Sequence, residues 1–341
     1  MDRSEKLVTQ RESTAFYCMK CFAILCVIAA HVNQYCDNSV LESVATRAWS
    51  HIAKYGVACF FILGGFFYQR TEHDGKRFWA KKFQTLVVPW VFCASLTFLI
   101  TRRWVTEGNY FALPLNQILR DYLVWVSGYG TIYYFAAVFL FCQLVFKFLA
   151  KKDIYLYITV LASAAALILH EMGLSGGVDQ LFLKDQLNPL YRMGLFSLGV
   201  LARKHRIDRA LLQQKRLILL PLLILAVTTP YLFTGNETSS FDPVCVLDSV
   251  AFCAVFYVVC YWLAGKKVSR WLVPVGRSTY CIYLLHLEIV LIVADRLPYS
   301  VFKTVMLPVI CLGVMAALVQ AGKWVCKFLP FGEKIKGLVG L

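Results

Sequence analysis

Charge is what this sequence has least of. Only 16% of its residues are Asp, Glu, Lys or Arg, against about 25% in soluble domains. The acidic side is the scarcer one, with 20 Asp and Glu against 35 Lys and Arg. Internal repeats and low-complexity tracts are missing too, which argues against a solenoid and against a disordered chain. No small-residue cleavage pattern precedes Asn33, so the first apolar run reads as a retained span rather than a removed signal peptide.

What fills the chain is apolar. Of its 341 residues, 59% are hydrophobic, and the mean hydropathy is +0.61. A soluble fold of this size has no interior large enough for so much apolar surface. A bilayer accepts it, provided each segment satisfies its own backbone, as helices do. A span needs about 20 mostly apolar residues. Ten such segments can be marked: 14–33, 48–69, 80–101, 131–149, 154–171, 188–203, 215–233, 244–264, 279–295 and 304–328. The expected fold is an all-α polytopic membrane protein of about ten transmembrane helices. Its parts are a tail over 1–13, one membrane domain over 14–328 and a second tail over 329–341.

The formal charge of +15 would suggest nucleic acid in a soluble protein. Here the Lys and Arg residues sit in short loops, where they orient the chain and meet anionic lipid, and no nucleic-acid partner is expected. They alternate: 25 fall on one side of the expected spans and 8 on the other, with Lys20 and Arg192 inside spans. The positive-inside rule then places both termini in the cytoplasm. The expected location is a bacterial cell membrane, crossed many times.

Thirteen cysteines are present, most of them inside apolar runs, where they serve as small hydrophobes at helix interfaces. Cys18 and Cys21 have C-x-x-C spacing, but within the first span, which argues against a redox or zinc motif; no metal site is expected. Cys36 and Cys245 fall near the same predicted membrane face, so a disulfide between them is open. Residues 115–126 of the long outer connection 102–130 are patterned for an amphipathic helix at the membrane surface.

Ionisable residues inside spans are costly and are functional candidates by default. Lys20 and His31 lie 11 positions apart in the first span. At about 100° and 1.5 Å per residue that is some three turns, so both point in nearly the same direction, roughly 16 Å apart. Such a face could line a channel with a cation below and a base near the outer end. The alternative is that Lys20 snorkels to the cytoplasm and His31 rests among headgroups.

Several segments in order carry a family likeness. The run Cys18 to Val32 holds a basic residue, ten residues and then His31. Phe60 to Phe66 reads FFILGGF, residues 78–90 form a basic stretch ending in proline and tryptophan, and Tyr133-Tyr134-Phe135 follows. Arg192 to Gly199 reads RMGLFSLG, and Tyr280 to His286 reads YCIYLLH. Taken together, this order resembles the type-3 acyltransferase family of membrane O-acyltransferases. Gly64 departs from the serine usual there, and Gln84 or Thr85 from a second basic residue.

The resemblance implies transfer of an acyl group, often acetyl, from a cytosolic thioester to a hydroxyl of an extracytoplasmic or lipid-linked glycan. His31 is then the general base or a transient acyl carrier, since a sugar hydroxyl needs a base that is neutral at working pH. Acetyl-CoA or another acyl-CoA is the expected co-substrate, with no permanently bound cofactor. Its phosphates suit the cations Arg77, Lys81 and Lys82 at the cytoplasmic mouth, with Lys20 deeper and Arg192 near the outer end. Arg192 could equally pair with Asp185. His286, Tyr133 and Tyr134 are candidates for the acceptor side or for structure. The outer aromatic residues could stack on sugar or form a membrane-interface belt. The competing class is a non-enzymatic glycolipid transporter or flippase, but the inverted repeats common in such folds are absent. A third reading is a module working with a separate soluble partner. The sequence leaves the oligomeric state open.

Overall fold

The computed structural model describes residues 8–33, 44–68, 75–102, 110–129, 131–176, 185–234, 241–294 and 300–340. Among these the secondary structure is helical, without strands. In chain order the α-helices are α1 Gln10–Asn33, α2 Val44–Ala53, α3 Tyr55–Phe66, α4 Gly75–Lys82, α5 Val88–Ile100, α6 Leu115–Ser127, α7 Tyr134–Leu149 and α8 Asp153–Glu171. They continue with α9 Leu190–Lys204, α10 Ile207–Gln213, α11 Leu219–Thr234, α12 Pro243–Leu263, α13 Ser269–Arg277, α14 Thr279–Ala294, α15 Val301–Val325 and α16 Gly332–Val339.

Each expected span coincides with helix, its ends displaced by no more than about four residues, within the error of such readings. Among the described residues, six helical segments are long and apolar enough to cross a membrane alone, and a seventh crossing arises if α13 and α14, bent by 83° at Ser278, are taken as one. The other three expected spans correspond to α7, to α9 and to the pair α2–α3, interrupted at Lys54. The chain is therefore an all-helical, multi-pass membrane protein. Cys36 lies outside the described residues, and Cys245 is a buried thiol.

The first helix is the hub. In its most apolar window 67% of residues are buried, against 17–39% in the other long spans. It packs against α2, α3, α12, α13, α14 and α15. The sequence accounts for this, because Ala15, Cys18, Cys21, Ala23, Cys26 and Ala29 give α1 a thin waist that several helices can approach. Its start is set by a capping box. The Glu12 amide donates to the Thr9 hydroxyl (3.2 Å) and the Thr9 amide to the Glu12 carboxylate (2.6 Å). Glu12 also accepts from Arg209 of α10 at 3.0 Å.

The tightest helix pair is α3 with α9. A Cβ on Gly65 would overlap the Phe196 carbonyl, and one on Gly199 would overlap the Ile62 carbonyl. Without a hydrophobic drive between helices in lipid, such backbone approach is what lets them adhere. Near the start of α5 the chain passes through a wide π turn over Phe83–Val87, just before Pro89, which has no N–H to continue the ladder. The Tyr280 hydroxyl donates to the Leu86 carbonyl there, at 2.6 Å. The expected amphipathic helix is α6. Leu115, Leu119 and Leu123 form an exposed stripe, while Tyr122 and Trp125 lie edge-on to Phe98 of α5.

Candidate active site

Lys20 and His31 project from the same helix into two adjoining environments. Lys20 lines a cavity of about 240 Å³ enclosed by α1, α3, α7, α14 and the α4–α5 turn. Its Nζ lies 5.1 Å from the Phe67 ring and 5.6 Å from the Tyr17 ring, so the ammonium is held partly by aromatic faces. Lys82 lines the same cavity, together with Gln143, Thr279 and Tyr280. The remaining wall is apolar and aromatic, built from residues such as Phe60, Phe135, Phe139 and Tyr283. A space of this size is below the roughly 300–1,000 Å³ of typical small-molecule sites. It suits a thin chain rather than a nucleotide.

His31 meets His286 of α14 instead, with ring centroids 5.1 Å apart. His286 is fully buried. Its Nδ1 lies 2.6 Å from the Tyr283 carbonyl. The Tyr283 ring, which lines the cavity, is centred 5.7 Å from the His286 ring, so His286 lies directly behind the cavity wall. Tyr283 donates its hydroxyl hydrogen to the Ile132 carbonyl, and its ring sits 5.0 Å from Phe135.

The other expected residues are dispersed. Tyr133 is buried; its hydroxyl donates to the Leu284 carbonyl at 3.1 Å and shares a 2.7 Å hydrogen bond with Thr97. It therefore ties α14 to α5. Tyr134 is half-buried at the start of α7. Arg192 is buried on α9, its guanidinium 4.6 Å from the Phe241 ring, away from the Lys20 cavity. Lys81 is exposed and does not line the cavity. Arg77 belongs to α4, but its side chain lies outside the described residues. Glu288 points to Thr101, 3.4 Å away, and so leaves His286's side of the helix as its 200° offset requires.

Two cations were missed in the sequence. Arg277, at the bend between α13 and α14, lies 5.2 Å from the Tyr17 ring, so it and Lys20 contact one tyrosine. Lys323 of α15 donates to the Ser278 hydroxyl at 2.7 Å. Both sit in ordinary-looking basic loop or helix-end positions, and nothing in their spacing marks them. A buried cluster of hydrogen bonds around Asp248 was also missed. No group of His, Cys, Asp or Glu suited to a metal ion occurs among the described residues.

A fully buried histidine and a partly buried one thus face each other near a cationic cavity, inside a multi-pass helical bundle. The chain belongs to the acyltransferase 3 family, whose acyltransferase-domain model matches residues 14–321, and it is accordingly a membrane acyltransferase. No curated protein and no solved structure matches it.

Proposed function

We propose that the protein moves an acyl group, acetyl in the first instance, from cytosolic acyl-CoA to a hydroxyl of an extracytoplasmic or lipid-linked glycan. In this reading it spans a bacterial cell membrane about ten times with both termini in the cytoplasm, an orientation supported by the 25-to-8 split of basic residues. Labelling of loop 204–209 from outside the cell would reverse it. Flanking the membrane domain, residues 1–13 and 329–341 then face the cytosol.

The observation that carries the reading is the double role of α1. One face of one helix offers Lys20 to the cavity and, 11 residues on, His31 to His286. The pantetheine arm of acyl-CoA suits the narrow cavity, with Lys20 and Lys82 near its polar end. The nucleotide stays at the cytoplasmic mouth, where Arg277 and Lys323 add positive charge. His31 takes the proton from the acceptor hydroxyl as its oxygen attacks the thioester carbonyl. The C–S bond breaks, and the imidazolium returns that proton to the departing thiolate. An ester and a free thiol result, with no net proton change.

The test is His31→Ala in membranes supplied with radiolabelled acetyl-CoA. Loss of a general base typically costs about 10²–10⁴ in rate, with the protein still inserted and donor still bound. Retention of more than about a tenth of the transfer, well outside that loss, would exclude His31 as base, whereas a wild-type protein that transfers no label would favour the glycolipid transporter.

A further inference from the structure

We infer that His286 is a positioning residue for the reaction, holding the ring of His31 in the one tautomer and orientation that can take a proton from the acceptor. This rests on the reading of His31 as base. A carbonyl can only accept, so the 2.6 Å contact between His286 Nδ1 and the Tyr283 oxygen requires the hydrogen on Nδ1. The neutral ring then carries its lone pair on Nε2. That atom is buried and has no hydrogen-bond partner among the described residues. An unpartnered acceptor on a fully buried side chain is costly and calls for a donor.

The group beside it is His31, centred 5.1 Å away with the ring planes inclined at 47°. At that separation a modest turn of the His31 ring brings one of its N–H groups onto His286 Nε2. The other His31 nitrogen is then left as a lone pair, facing away from His286. A neutral imidazole has one hydrogen, so giving it to His286 dictates which nitrogen acts as base. The logic is that of any base oriented by a third group, here with an uncharged imidazole in place of a carboxylate. An uncharged partner fits an apolar interior, where a lone carboxylate would be far more costly to bury. His286 is itself anchored through Tyr283, whose hydroxyl is tied to the Ile132 carbonyl, and its helix through Tyr133, bonded to the Leu284 carbonyl.

Two substitutions separate this role from a structural one. His286→Asn keeps an amide N–H near Nδ1, so the bond to Tyr283 survives, but nothing occupies the place of Nε2. His286→Gln places an amide oxygen near Nε2 and gives up the Nδ1 donor. Both are assayed with wild type and His31→Ala, using membrane vesicles and radiolabelled acetyl-CoA as the probe. The expected result is a kcat for His286→Asn lower by about 10–100-fold, by analogy with the loss when a group orienting a metal-bound imidazole is removed. The KM for acetyl-CoA stays near the wild-type value, and His286→Gln recovers much of the lost kcat. If His286 were structural, the order would invert, because Asn keeps the observed hydrogen bond and Gln breaks it. An Asn variant as active as the Gln variant, or more so, overturns the proposal. If wild type transfers no label, or His31→Ala stays active, it is the reading of the site that fails.

Discussion

The carboxylate of Asp248 on α12 accepts a hydrogen bond from the His51 ring on α2, 3.0 Å away, with both side chains buried. Its remaining lone pairs are used as well. Tyr55 donates to the same oxygen at 2.6 Å, and Thr228 and Thr229 of α11 donate to the other at 2.6 and 2.9 Å. The cluster joins α2, α3, α11 and α12 on the far side of α1 from His31. There Phe22 of α1 stacks on Phe252, as does Tyr55. Nine positions, about 180°, separate Phe22 from His31 on the helix.

Because all its acceptor sites are filled by protein donors, this carboxylate serves the fold. Asp248→Ala removes the acceptor that a histidine, a tyrosine and two threonines share. Removing one member of a buried pair typically costs about 3–5 kcal/mol. The expected outcome is a clear fall in Tm in detergent, with Asp248→Asn milder because the amide oxygen still accepts. An unchanged Tm for the alanine variant would show that the network contributes nothing to stability.

Lys81 and Lys82 are neighbours, but the structure treats them differently: Lys82 lines the cavity, and Lys81 is exposed beside it. Remote contacts to a donor bind ground and transition states alike, so losing one raises KM and spares kcat. Lys82→Ala should raise KM for acetyl-CoA about tenfold, the equivalent of ~1.4 kcal/mol. Lys81→Ala should change it by less than about twofold, as a solvated surface charge contributes little. Steady-state kinetics on both variants decide the matter; equal effects would remove Lys82 from any special place.

Gly64, which stands where the family resemblance leads one to expect serine, has a structural explanation. A Cβ at this position would overlap the Phe139 ring, which forms part of the cavity wall. Glycine and phenylalanine are thus fitted to one another. Gly64→Ser alone should lower Tm and donor turnover, since overpacking costs roughly 1–3 kcal/mol. Gly64→Ser with Phe139→Leu should recover much of the loss. With Phe139→Leu as the second single variant, a double-mutant cycle over the four Tm values reads the coupling, and strictly additive shifts would refute it.

Much of this protein was legible in one dimension. The helical bundle follows from the apolar runs, because lipid leaves a chain no other way to pair its backbone groups. The Lys20–His31 spacing follows from helical geometry, and the family from the order of short segments along the chain. Helix ends fell close to expectation wherever a charge, a proline or a glycine marked them, as at Asp153, Pro243 and Gly128. Tertiary structure alone decided what met across helices. His286 faces His31, Lys82 rather than Lys81 enters the cavity, Arg277 reaches the ring that Lys20 touches, and Asp248 gathers donors from three other helices. Such contacts depend on the rotation of each helix about its axis and on how closely glycines let backbones approach. In a span that is apolar on every side, hydropathy carries almost no record of either, because lipid and protein interior look alike to a leucine.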